Sequence, residues 1–500
     1  MHLQLQFEKE ALQCLHTVKR EIQSHEQTQE VRITDGMPDI GRIIGAWGQV
    51  ILRSKEWQRD GMTVSGGTMV WVQYMPEDGG EVQCIESWLP FQMRWAFPET
   101  QHDGKIMTQC ILKSVDARST SARKLILRTN VAVLGWAMES RECDLYSPRD
   151  VPEDVQLRRI AYPMQLPVEA GEKAFSLEET LNLPPSVPKP EKVMAYHLQP
   201  EITEEKMMGD KVVFRGTAVL HLLYLAEDGG QYTWDFDLPF TQYNELDGEY
   251  GDDAQVMLWP CVTAMELESD GDTLNLKAGM VCQYRVSRRT MVEMTEDAYS
   301  PRRSVVCKFQ NMDIPGVLES KTQNVRIQQN SPVDGMRLTD VQFLPQPVST
   351  TNGEACTALD LSGTFQLLYY DMEGNPRTSM QRWEDTLDIP KGDCCAMEAT
   401  FWLSGKPQGS LMSGSAQLSA EGKLMAETMT TNSMPVVTGL ELGELQEADS
   451  RRPSLILRRA NGQNLWDLAK TCGSSVKSIQ DANGLENDPE ATQMLLIPIL

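Results

Sequence analysis

The chain has six histidines, His2, His16, His25, His102, His197 and His221, and they are the first place to look for chemistry. None stands in an H-E-x-x-H or H-x-H pattern, so no pair is spaced to hold a hydrolytic zinc. His221, flanked by strand residues, reads as an outer-face side chain. Cys394 and Cys395 are adjacent, and neighbours on a strand point oppositely, so one metal cannot take both. The acidic run over 247–253 offers the oxygen ligands that calcium prefers, without the regular spacing of an EF-hand loop. It reads as a solvated loop. No G-x-x-x-x-G-K-[ST], G-x-G-x-x-G or G-x-S-x-G motif occurs, so phosphate cradles and a serine elbow are missing. The Gly- and Ser-rich run 405–419 reads as a glycine-rich strand pair or an exposed loop. The expectation is a chain with no catalytic residues, no cofactor and no metal: not an enzyme.

Bulk properties narrow the partners. Net charge is -25, from 46 basic and 71 acidic residues, which disfavours nucleic acid and anionic membrane surfaces. No stretch approaches the roughly 18 apolar residues of a transmembrane segment. Residues 1–7 lack the basic start and apolar run of a signal peptide. The eleven cysteines form no C-x-x-C and no framework, which fits a reducing compartment, hence a cytoplasmic protein. Five hundred residues exceed one core and suggest three or four domains.

The elements that would position any site begin with a strand-turn-strand stretch that occurs three times. It starts at Val70, Leu220 and Phe365, reaches Tyr74, Tyr224 and Tyr369, and then meets an acidic-plus-glycine turn. Alternation up to the tyrosine predicts a half-buried strand, and the glycine predicts a reversal. Superposed, one face reads Val70/Leu220/Phe365, Val72/Leu222/Leu367 and the three tyrosines, which makes it the core face. The other reads Trp71/His221/Gln366 and Gln73/Leu223/Leu368, a mixed outer face. A glycine precedes each strand at Gly66, Gly216 and Gly363. Two copies then reach Leu89-Pro90-Phe91 and Leu238-Pro239-Phe240, and the third offers Ile389-Pro390. Two more strands follow in each copy, with a loop over 116–122 in the first, and a common register links Leu127, Leu276 and Leu418. A repeat of this size predicts three beads, each with its own core. Ahead of the first copy, Ala11, Leu12, Leu15, Val18 and Ile22 have helical spacing and predict a helix over 8–24.

The boundaries are 1–150 for the helix and first repeat, 170–305 for the second and 320–435 for the third. Proline-rich linkers, one of them over 147–172, separate them, and 436–453 reads as an exposed acidic linker. The last unit, 454–499, breaks the pattern: a strand, a helix capped by Asn464, a helix capped by Ser475 that ends at Asn483-Gly484, and a closing strand. The fold class is mainly β, three repeated sandwich- or barrel-like domains plus a small βααβ module.

The run Gly462-Gln463-Asn464-Leu465-Trp466-Asp467-Leu468-Ala469, with Asn483-Gly484-Leu485 and Leu495-Leu496-Ile497-Pro498, resembles the LysM domain. The resemblance implies a groove for N-acetylglucosamine glycans, built on Gly462, Gln463, Asn464, Asn483, Gly484 and Leu485. Gln463 and Ala491-Thr492-Gln493 depart from the family at that groove. Trp466 reads as core by its helical phase, alongside Tyr74, Tyr224 and Tyr369. The segment from Met37 to Ile44, with the strand and turn after it, resembles the SPOCS domain, and the first copy fits best. SPOCS repeats with a terminal LysM are similar to clostridial spore-coat morphogenetic proteins. That resemblance implies a non-catalytic scaffold in the mother-cell cytoplasm at the forespore surface, whose LysM docks onto a sporulation ATPase, stage IV sporulation protein A. It also leaves room for other coat proteins as partners. The alternative is a binder of peptidoglycan or spore cortex.

Overall fold

The computed structural model describes residues 3–100, 103–270, 273–315, 319–390, 396–412, 414–429, 431–446 and 453–500. The fold is mainly β, and its strands fall into three units with related pairing. The first contains β1 (Leu3–Gln4), β2 (Phe7–Arg32), β3 (Ile40–Gln58), β4 (Gly61–Pro76), β5 (Gln83–Ala96), β6 (Lys105–Ser121) and β7 (Lys124–Pro148). Its two antiparallel sheets run β2-β7-β6 and β3-β4-β5, and enclose a core built on Val70, Val72, Trp95, Leu125 and Leu127.

The second unit has β8 (Gln156–Asn182), β9 (Pro190–Ala226), β10 (Gln231–Tyr250), β11 (Ala254–Asp270) and β12 (Thr273–Tyr299), in sheets β11-β12-β8 and β10-β9. Strand β9 is long because it folds back at Gly209, where φ is 66°. Thr203 donates to the Arg215 carbonyl across that fold. The third unit has β13 (Val305–Pro315), β14 (Glu319–Pro332), β15 (Arg337–Pro345), β16 (Ser349–Asn352) and β17 (Cys356–Tyr370). It continues with β18 (Pro376–Pro390), β19 (Ala396–Leu403), β20 (Gln408–Met412), β21 (Ser415–Met429) and β22 (Thr431–Leu442). Its sheets are β14-β21-β19, with β20 on β21, and β15-β17-β16, with β18 on β17. The βααβ module closes the chain with β23 (Leu455–Arg459), α1 (Leu465–Cys472), α2 (Val476–Asn483) and β24 (Met494–Pro498).

All three strand-turn-strand stretches are hairpins, β4-β5, β9-β10 and β17-β18. Their motifs have one explanation. Gly66 pairs with Phe91 and Gly216 with Phe240, and a Cβ on either glycine would fall 2.7 or 2.5 Å from that ring. The glycine makes room for the phenylalanine of Leu-Pro-Phe. In the third unit Phe343 of β15 fills the space beside Gly363, whose partner is Trp383. Ile389-Pro390 pairs further along, with Thr357 and Cys356, so it is not the third Leu-Pro-Phe. Tyrosine is kept on the core face because its hydroxyl finds an acceptor: Tyr74 donates to the Pro38 carbonyl and Tyr224 to that of Pro188. Tyr369 is half-buried, with its ring against Gly335.

Other expectations are corrected. Residues 8–24 are not a helix; they belong to β2, which pairs with β7 from Phe7↔Pro148 to Arg32↔Lys124. A register shift between Thr17 and Lys19 exchanges the strand's faces midway. Leu12 packs ahead of that bulge and Val18 at it, in two different cores, and Ile22 of the expected stripe is exposed. The expected loop over 116–122 is strand as far as Ser121. Strand β8 begins at Gln156, inside the proline-rich stretch, and takes Pro167 at a register shift where no ladder hydrogen bond is needed. The expected exposed linker over 436–453 is strand through Leu442, with Val436, Val437, Leu440 and Leu442 buried. Cys394 and Cys395, and the linker's Glu447 and Asp449, lie outside the described residues.

The three units are not beads. Each has a core of its own, yet they close on one another in a ring. The outer ends of β2 and β7, β8 and β12, and β22 pack together around Cys14, Met164, Leu166, Val292, Met294 and Val436, a core to which all three units contribute. Strand β1 pairs with β22, so the start of the first unit joins the end of the third.

Candidate functional site

The ring is held by the hairpin faces expected to point outward. Trp71, His221 and Gln366, at one repeat position, are 2, 3 and 1% exposed. Each reaches the next unit around. Trp71 packs on Tyr196, with ring centroids 4.7 Å apart. His221 bonds Asp340 through Nε2 at 2.9 Å, and Gln366 donates to the Ala46 carbonyl at 2.8 Å. His221 is therefore not an outer-face residue in the sense of solvent. Heterologous contacts that return to their starting unit make a closed ring.

Electrostatics at His221 follow from this geometry. Its Nδ1 lies 2.5 Å from Asp235, whose other oxygen accepts from Lys406 at 2.6 Å. Burial works against the imidazolium, and Asp340 and Asp235 outweigh it, raising the pKa to about 9. Burial likewise opposes the Asp235 carboxylate, and His221 and Lys406 prevail, lowering it to about 2. His197, whose ring lies 4.8 Å from His221, is pushed down to about 3 by burial and by that positive neighbour. One histidine is held charged and the other neutral. With two carboxylates and Lys406 the set is balanced, which suits a structural ion cluster between the second and third units.

A second cluster sits on the other sheets. Trp136, Arg285 and Glu427 stand at the same step past Leu127, Leu276 and Leu418, one from each unit. The Glu427 carboxylate is fully buried and takes Arg20 at 2.5 Å and Arg285. Burial opposes its charge, and Arg285 and Arg20 hold its pKa below the usual carboxylate value. Both guanidiniums lie over the Trp136 ring, 4.1 and 4.5 Å from its centroid. Beside this cluster opens a cleft of about 1230 Å³ lined by residues of all three units.

The expected binding loops lie on the βααβ module, where most of their polar groups are used internally. Asn464 caps α1 by accepting from the Asp467 amide, and the Gln463 side-chain oxygen accepts from Arg458. Asn483 clamps β24, donating to the Leu496 carbonyl and accepting from its amide, while Gly484 takes the left-handed conformation that ends α2. Leu485 is half-buried against the module core, and Gly462 is exposed with φ of 77°. Trp466 is half-buried at a junction: it packs edge-on against Tyr299 of β12, and its Nε1 donates to Asp297 at 2.8 Å. Lys470 bonds the same carboxylate, and the Tyr299 hydroxyl donates to the Ser474 carbonyl. The module is seated on the end of β12. No sequence pattern announced this, because Asp297 lies 169 residues from Trp466.

On the module's other side, β23 and β24 form a two-stranded sheet whose outer face carries Leu455, Leu457, Met494 and Leu496 in solvent. Leu457 is directly opposite Leu496 and is 62% exposed. Among the described residues no group of three or more His, Cys, Asp or Glu could hold a metal ion. None of the described helices is long and apolar enough to cross a membrane.

The structure is a closed β ring, pinned by buried polar clusters, that carries a small module with an uncovered apolar face. Residues 189–268, which hold the second unit's hairpin and most of β11, match the family model SipL, SPOCS domain. The match falls on the second unit and not on the first, which carries the Met37–Ile44 resemblance. No curated protein and no solved structure matches the chain.

Proposed function

We propose that the chain is a non-catalytic scaffold of spore-coat assembly, built from three SPOCS domains and a C-terminal LysM module. The module docks onto stage IV sporulation protein A, a sporulation ATPase, at the forespore surface in the mother-cell cytoplasm. Other coat proteins are candidates for the ring itself. The observation that carries this reading is the apolar face of Leu455, Leu457, Met494 and Leu496, on a module anchored by its opposite side to β12. An exposed apolar patch of this kind marks a protein-binding surface. Several chains on one coated surface then gain from effective concentration.

Binding of peptidoglycan is the weaker reading, because Gln463, Asn464 and Asn483 spend side-chain polar groups within the module. Pull-down on the purified ATPase tests the docking: the full chain is retained, and deletion of residues 451–500 releases it. Retention of the deleted chain refutes it. In sedimentation with purified peptidoglycan the full chain stays in the supernatant.

A further inference from the structure

The face of Leu455, Leu457, Met494 and Leu496 is not apolar to its end. Rows across β23 and β24 read Leu455↔Pro498, Leu457↔Leu496 and Arg459↔Met494, so the last row carries a guanidinium. Arg459 is exposed, and its Nε donates to the Thr492 carbonyl at 3.3 Å. None of the described carboxylates forms an ion pair with it. Two other cations of the module are committed elsewhere: Arg458 turns away to Gln463 and Cys472, and Lys470 is held by Asp297. In a chain of net charge -25 this face is therefore apolar with a positive end. A charge at the rim of an apolar patch selects a partner of opposite sign there, by steering the encounter and penalising like charge.

The dimensions of the face favour one shape of partner. Two strands about 4.8 Å apart, with their side chains, present a strip about as wide as a single α-helix, ~10 Å across. Its three rows run for about 14 Å, the length of roughly two and a half helical turns. A further strand cannot pair at Leu496 of β24, because Asn483 already fills the amide and carbonyl that Leu496 turns outward. Apolar residues on one stripe of a helix would cover Leu455, Leu457 and Leu496, and a carboxylate at the end of that stripe would reach Arg459.

We propose that this face grips a single amphipathic helix of its protein partner, whose apolar stripe ends in an Asp or Glu that pairs with Arg459. Such pairing rests on the docking proposed above, and its failure is separable from failure of that docking. Pull-down of full-length variants on purified stage IV sporulation protein A tests it. Arg459→Glu, which sets like charges together, lowers retention about tenfold. Arg459→Gln lowers it less, and removes the weakening that the wild type shows between about 0.05 and about 0.5 M NaCl. Both variants keep the wild-type Tm, since Arg459 is exposed and makes no ion pair within the chain. The photo-crosslinking variants Leu457→benzoylphenylalanine and Leu496→benzoylphenylalanine label ATPase residues three or four apart in sequence. Wild-type retention of Arg459→Glu, or labels two apart or on unconnected segments, overturns the proposal even where Leu457→Glu with Leu496→Glu abolishes binding. Retention of that double variant would remove the docking face itself, and the helix with it.

Discussion

The guanidinium of Arg285 lies 4.5 Å from the centre of the Trp136 ring, and the two residues occupy the same repeat position in neighbouring units. Glu427 completes the set from the third unit. A position that in a symmetric trimer would meet copies of itself has become a cation, an aromatic face and an anion. Three related but unequal units therefore meet through complementary groups rather than through copies of one side chain, so the buried charge is matched across the units.

Glu427→Gln tests that matching. It leaves Arg285 buried without its carboxylate and Arg20 with Glu398 alone, and the expected loss is about 3–5 kcal/mol in denaturant unfolding. A loss under about 1 kcal/mol would mean the cluster is not desolvated as described.

The His221 cluster makes stability depend on pH. A folded-state pKa of about 9 against an ordinary 6.5 means its contribution is complete below 6.5 and fades as pH rises through 9. Asp235, lowered from 3.8 to about 2, contributes fully above 3.8 and fades as pH falls through 2. The urea midpoint of the wild type should fall between pH 6.5 and 9.5, and His221→Gln should flatten that fall. Parallel curves for the two proteins would remove His221 as the source.

At Gly216 a Cβ would lie 2.2 Å from the Glu201 carbonyl oxygen and 2.5 Å from the Phe240 ring. Gly216→Ala should destabilise by about 1–3 kcal/mol, since neither neighbour can yield without shifting a strand. An unchanged Tm would show that the hairpin tolerates a wider spacing than its register implies.

Asp297 is the latch of the C-terminal module, because it accepts from both Trp466 and Lys470. In Asp297→Ala, amide exchange in α1 and around Tyr299 should quicken at least tenfold while the strands of the ring keep their protection. Equal protection in both proteins would mean that the module is held by other contacts.

The hairpins were legible because alternation, an acidic-glycine turn and a glycine under a phenylalanine are all local. The caps of the module were legible for the same reason: Asn464 and Ser475 accept from amides three residues on. What stayed hidden depends on distant partners. The second face of each hairpin carries Trp71, His221 and Gln366, and nothing local says that Tyr196, Asp340 and Ala46 will cover them. Strand β2 imitated a helix because its apolar positions serve different cores along one bulged strand rather than one strict alternation. One signal was present and unused. The common register of Leu127, Leu276 and Leu418, carried forward, puts a tryptophan, an arginine and a glutamate at one position, a complementary set that implies contact between units.

The most direct test of the scaffold reading leaves the fold intact and changes only the uncovered face. Leu457 and Leu496 are exposed and directly opposite each other on β23 and β24, so Leu457→Glu with Leu496→Glu should not disturb the core beneath. Pull-down of this full-length variant on purified stage IV sporulation protein A is the measurement. The double variant should keep the wild-type circular-dichroism spectrum and Tm and lose retention on the ATPase at least tenfold. Undiminished retention by a correctly folded variant would contradict docking through this face.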